Sequence, residues 1–143
     1  MHQPPDHDPS VADVQAAFRR HGVEPPALFC AIVKRRMIGF AAFTAFEPWQ
    51  LCGLEEIVPL SQRWPTARLP QDLIPFARHQ GSDDLACFQL QHEDAATSIT
   101  GIREVHYDLG PPVYVELGAE FDDFWQWLHS ALDDVRFSIE HGG

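Results

Sequence analysis

The sequence predicts a single α+β domain. Three observations carry this: amphipathic helical patterns at both ends, short strand-like runs between them, and a composition that suits one core. The 143 residues are 45% hydrophobic and 22% charged, a globular balance. A chain of this length buries about 68–70% of the surface that it exposes when unfolded, enough for a core without staples. The domain is expected over residues 10–137, with a frayed Pro- and Asp-rich tail at 1–9 and a second tail at 138–143.

The first helix is read from "SVADVQAAFRRHG". Ser10 is its N-cap, Asp13 lies in the first turn, and Val11, Val14, Ala17 and Phe18 form one stripe. Arg19, Arg20 and His21 face the negative end of the dipole, and Gly22 terminates. A second helix starts at "EPPALFCAIVKRRM", with Leu28, Phe29, Ile32 and Val33 on one face and the basic Lys34–Arg36 cluster as a solvated C-terminal end. From Ile38, "IGFAAFTAF" suits a strand, ended by Glu47–Pro48. Trp49–Cys52 reads as a short strand and Leu54–Ile57 as a brief helical turn. The stretch punctuated by Pro59, Pro65, Pro70 and Pro75 is expected to be mostly loop.

"LACFQLQ" reads as a strand, "HEDAATSITG" as a polar connection, "IREVHYDLG" as a half-exposed strand and "PPVYVEL" as another short one. The strongest helix is last. In "AEFDDFWQWLHSALDD", Phe121, Phe124, Trp125, Leu128, Ala131 and Leu132 gather on one face. Glu120, Asp122 and Asp123 suit its N-terminal end, whereas Asp133 and Asp134 oppose the dipole at the other. Trp127 lies off the stripe, where it either packs on an adjoining loop or stands as an exposed anchor of a binding face.

Cys30, Cys52 and Cys87 are odd in number and never paired as C-x-x-C. They read as free thiols behaving as small hydrophobes in a reducing, cytoplasmic compartment. "MHQPPDHDPS" has neither the basic nor the apolar region of a secretory signal. The longest apolar stretch, Met37–Phe46, falls far short of the about 20 residues of a membrane span. A soluble protein without a membrane partner is expected.

The net charge of −11 is unevenly placed. Residues 1–80 balance eight basic against eight acidic side chains, while residues 81–143 carry Arg103 and Arg136 against thirteen acids. A one-signed field over half a domain repels nucleic acid and attracts a basic partner; the alternative reading is that the acids simply keep the protein soluble.

No motif for catalysis stands out. The chain lacks a G-x-S-x-G elbow, a P-loop, a G-x-G-x-x-G turn and an H-E-x-x-H helix. His21, His79, His92, His106 and His129 have no ligand-like spacing, so no metal and no cofactor is expected. "RHQGSDDLACFQLQ" places a histidine, a serine and two aspartates before an apolar run, as either an active site or a polar turn. The paired acids Glu55–Glu56, Asp83–Asp84, Glu93–Asp94, Asp122–Asp123 and Asp133–Asp134 read more simply as solvated than as raised-pKa acids in a cleft.

Four segments in order, "GLEEIVPL", "LIPFARHQGSDDLACFQL", "VHYD" and "EFDDFWQWL", resemble the SUKH superfamily, which includes the yeast Smi/Knr cell-wall regulators and many bacterial immunity proteins. Leu54, Glu55, Glu56 and Ile57 match the family's first turn. Ile74, Pro75, Phe76, Ala77, Gly81, Asp83 and Asp84 match its I-P-F-A segment and Gly/Asp turn, and Phe121, Phe124 and Leu128 its terminal helix. The likeness covers about residues 49–132. Family members often carry an N-G-G type turn before the first strand, where "RRMIGFAAF" supplies only Gly39.

The resemblance implies an α+β domain in which helices at the N- and C-terminal ends flank a mostly antiparallel sheet. It makes "HQGSDD" a turn and implies a non-catalytic immunity-type protein that binds and occludes a cognate toxin domain. With the acidic balance, that toxin is expected to be basic, such as a nuclease. The expected contact surface is Asp122, Asp123, Trp127 and Asp133 of the last helix, with Asp83, Asp84, Glu93 and Asp94 nearby. The alternatives are a regulatory protein–protein interaction module of the Smi/Knr type, without a toxin partner, and an enzyme whose site is assembled from distant residues.

Overall fold

Local chemistry sets the first helix, α1 (Val11–Arg19). The Ser10 hydroxyl accepts from the Asp13 N–H while the Asp13 carboxylate accepts from the Ser10 N–H, so both orphan donors are satisfied. The chain then turns back at Gly22, whose φ of +75° favours glycine. Pro26 precedes α2 (Ala27–Lys34), which buries Phe29, Ile32 and Val33 but leaves Leu28, expected on the same face, 36% exposed. The computed structural model describes residues 9–36 and 48–141, with the side chains of the last helix described through Asp133. The strand expected in "IGFAAFTAF" lies outside the described residues.

Five strands follow among the described residues: β1 (Trp49–Leu51), β2 (Asp72–His79), β3 (Asp84–Glu93), β4 (Ala96–Asp108) and β5 (Tyr114–Phe121). They form one sheet in the order β1-β2-β3-β4-β5, with every neighbouring pair antiparallel. Two short helices, α3 (a 3-10 turn, Leu54–Glu56) and α4 (Leu60–Arg63), lie between β1 and β2, and α5 (Phe124–His141) closes the chain. The architecture is thus α+β, an antiparallel sheet flanked by N-terminal and C-terminal helices. The last helix runs into the stretch expected as a tail. No helix among the described residues is long and apolar enough to cross a membrane.

The region read as proline-rich loop holds α4 and all of β2. Pro75 sits inside β2 opposite Cys87, at a point where the β1 ladder has not begun and the register slips between Pro75 and Ala77. A missing N–H is tolerated at such an edge-like, bulged position. The segment read as a polar connection is mostly hairpin: β3 and β4 run on to Glu93 and Ala96, joined by Asp94 and Ala95, with Asp94 at φ +51°.

Helices α1, α2 and α5 cover one face. Phe88 of β3 meets Phe18, Phe29 and Phe124 edge-on or tilted and stacks on Phe76 at 4.4 Å between ring centroids. The segment containing α4 covers the other face, where Trp64 lies 5.0 Å from Tyr107. Covered on both sides, β3 is buried without interruption from Leu85 to Leu90. Cys52 and Cys87 lie in this core, where burial pushes both thiols well up.

The face that α5 presents to this core is rotated about 50° from the expected stripe, taking 100° per residue. Phe124, Trp127, Leu128 and Ala131 are buried, while Trp125 and Leu132 are 56% and 45% exposed. Phe121 belongs to β5 and not to the helix. Trp127 turns inward because its ring packs against Trp49 and Phe76 and its indole N–H donates to a Glu104 carboxylate at 3.1 Å.

Candidate functional site

The sheet has two chemically different ends. At one, His79 closes β2, and its Nδ1 accepts the Gly81 N–H at 3.1 Å. The Ser82 hydroxyl lies 3.2 Å from that nitrogen but donates to Asp84 Oδ2 at 2.7 Å. The other oxygen, Asp84 Oδ1, is 2.8 Å from His106 Nδ1 across the β3–β4 pair. The hydrogen bond to Asp84 raises the His106 imidazole above its ordinary value, with smaller contributions from the nearby charges of Asp84, Asp83 and Glu116.

A cleft of about 360 Å³ opens beside this network, lined also by Gln50, Arg78 and Tyr107. Arg78 is engaged already: it donates to the Gln50 carbonyl oxygen at 2.8 and 2.9 Å, in the amide orientation that satisfies both groups, and lies 3.6 Å from Glu56. The serine places its proton on a carboxylate, and the histidine nitrogen beside it is taken by a backbone amide. That is the wiring of a stapled turn.

The other end is apolar and less satisfied. β5 stops at Phe121 opposite Ile102, whereas the β3–β4 hairpin continues to Asp94. β4 therefore overhangs β5 over Ala96–Gly101. Between this overhang, α2 and the start of α5 lies a groove of about 420 Å³, walled by Leu28, Ile99 and Trp125. Glu24, Asp122 and Asp123 stand at its rim. Glu24 is held by Arg19 through two contacts of 2.8 Å. Asp123 caps α5 by accepting the Gln126 N–H at 2.9 Å, and the Gln126 side chain in turn accepts from the Asp122 N–H. Neither aspartate has a cationic partner among the described residues.

The acids of the sequence reading divide between these ends. Asp83 and Asp84 stand at the cleft, and Glu93 and Asp94 at the hairpin tip. Asp84 and Glu93 are the two ends of one 10-residue strand, about 30 Å apart, so the eight residues do not form one patch. Glu93, Asp94, Asp122 and Asp123 share the groove end, and Asp133 lies exposed further along α5. Trp127 is 1% exposed and offers no anchor. The exposed tryptophan is Trp125, edge-on to His129 one turn on.

Leu28, Ile99 and Trp125 were missed as a group. Each alone reads as an ordinary apolar residue of a helix stripe or strand, and only the early end of β5 brings them together. Among the described residues, no group of three or more His, Cys, Asp or Glu side chains is arranged to hold a metal ion. No family model, no curated protein and no solved structure matches this chain.

Proposed function

We propose that this protein is a non-catalytic, immunity-type binding protein that occludes a basic protein domain, such as a nuclease toxin, with the groove end of its sheet. The carrying observation is the Leu28–Ile99–Trp125 groove, an apolar wall with an exposed indole beside two aspartates that have no cationic partner among the described residues. An exposed tryptophan framed by polar residues is the type of group that dominates binding energy when a partner covers it. The acidic half of the chain steers a basic partner toward that surface and competes with the phosphates that a nuclease would bind. The stapled network at the cleft end fits this reading, since its polar groups are engaged with one another.

The test is calorimetry of the purified protein with the C-terminal domain of a polymorphic toxin encoded beside it, at two salt concentrations. Tight binding that weakens with salt, and weakens again in Asp122→Lys, is the expected result. Absence of heat at both salts, together with no protection on co-expression, would exclude that toxin and favour a regulatory module with a cellular partner.

A further inference from the structure

We infer that the partner is captured by strand addition, an extended basic–apolar segment pairing with the overhanging edge of β4. This rests on the binding role proposed above and specifies its mode. Antiparallel ladders alternate bonded and non-bonded pairs, so every second residue turns its N–H and C=O to the outer side. With Asp94 and Ala95 as a two-residue connection, Glu93–Ala96 is the closing bonded pair and Gln91–Ser98 the next. Thr97 and Ile99, opposite His92 and Leu90, therefore direct their main-chain groups away from β3.

On that outer side no strand pairs with Ala96–Gly101 among the described residues, because β5 has already left the sheet. Gly101 permits the close approach of the Phe121 carbonyl oxygen at the point where β5 ends, since a Cβ there would lie 2.9 Å from it. What remains among the described residues is a slot over Ala96–Thr100, about 17 Å long, continuing the β5 column. The groove is the lateral wall of that slot.

A strand laid into it finds what sheet addition requires, main-chain partners at alternate residues and a pocket for alternate side chains. Ile99 shares the helix-covered face with Leu90, its pair, so every second side chain of the incoming segment meets Ile99, Leu28 and Trp125. Lysine or arginine at the end nearest α5 meets Asp122 and Asp123. A second copy of this chain is a poor occupant, because its own acidic half would face these aspartates.

The probe is an acetylated heptapeptide alternating leucine with lysine, compared with one N-methylated at the amides that would face β4 and one carrying glutamate for lysine. Amide chemical shifts and hydrogen exchange of the full-length protein are followed by NMR. The expected result is binding by the lysine peptide, with at least tenfold slower exchange at the Thr97 and Ile99 amides. N-methylation and glutamate are each expected to weaken binding at least tenfold. Ile99→Pro, which removes one outward donor from an edge position, weakens it without unfolding the protein. Should the proline variant unfold, Trp125→Ala is read instead for the side-chain wall and the methylated peptide for the edge.

Binding that tolerates N-methylation, or leaves the Thr97 and Ile99 amides unprotected at saturation, overturns strand addition. So does a failure of the lysine peptide to bind at millimolar concentration. In these cases heat released with the toxin domain still upholds the binding role, whereas loss of that heat alone overturns the role and leaves the edge result standing.

Discussion

The two ends of this sheet are built from similar residue types and arrive at opposite states. At the cleft end, His79, Ser82, Asp84 and His106 bond to one another or to the turn backbone, and Arg78 is shared between Gln50 and Glu56. At the groove end, Trp125, Leu28 and Ile99 stay accessible beside Asp122 and Asp123, and β4 presents an edge with which no strand among the described residues pairs. The polar, titratable side chains of the cleft end are engaged with one another or with the turn backbone. The more informative surface is the one where the fold leaves apolar area and main-chain groups without partners.

The largest effect that tests this contrast comes from two tryptophans on one helix. Trp127→Ala is expected to cost about 3–5 kcal/mol in urea denaturation, since it empties a core site between Trp49 and Phe76 and removes the hydrogen bond from the indole to Glu104. Trp125→Ala should change stability by no more than about 0.5 kcal/mol, because its ring is mostly in solvent. Its effect should appear in partner affinity instead, as a loss of about 2 kcal/mol, roughly thirtyfold in Kd. Equal losses of stability in the two variants would erase the distinction between interior and groove.

Asp123→Ala sharpens the comparison next. Removing the cap on the Gln126 N–H should cost about 1 kcal/mol of stability in addition to weakening a basic partner. Asp122→Asn should weaken the partner with less effect on folding, because its side chain makes only a 3.5 Å contact with Gln126. The pair of variants separates the share of this acidic rim that belongs to the helix from the share that belongs to recognition.

The smallest effect lies at the cleft. His106 titrates above its usual 6.5 in the folded protein, so its pair with Asp84 contributes fully below that pH. The contribution disappears as pH rises through the folded value. In Asp84→Asn the imidazole returns toward 6.5, and the stability difference from wild type fades between mildly acidic and alkaline pH. NMR titration of the His106 ring reads this directly, and an unchanged midpoint in the variant would show that Asp84 does not hold the proton.

Much of the fold is legible in the chain because local rules act without help from elsewhere. Ser10 with Asp13 and Gly22 bracket α1, and Gly81 with Ser82 makes "HQGSDD" a turn. The reading failed where tertiary context overrides local preference. Pro75 breaks a strand in isolation but not beside a bulge, and "HEDAATSITG" looks like a loop because its projecting hairpin is polar apart from Ile99 and three alanine and glycine positions. The orientation of α5 depends on distant partners: Trp49 and Phe76 pack against Trp127 and Glu104, on β4, accepts its indole N–H, so Trp127 faces inward in place of Trp125. The groove was illegible for the same reason, since nothing in "GAEFDD" alone says that β5 stops short of the hairpin tip.

The unequal placement of the four tryptophans also gives the protein an optical property. Trp49, Trp64 and Trp127 are at most 7% exposed, and Trp125 alone is mostly in solvent. A water-soluble collisional quencher will therefore extinguish emission from the groove while sparing that from the core. Whatever covers the groove should shift the remaining emission to the blue and restore the quenched signal, so occupancy is readable by intrinsic fluorescence without an attached label.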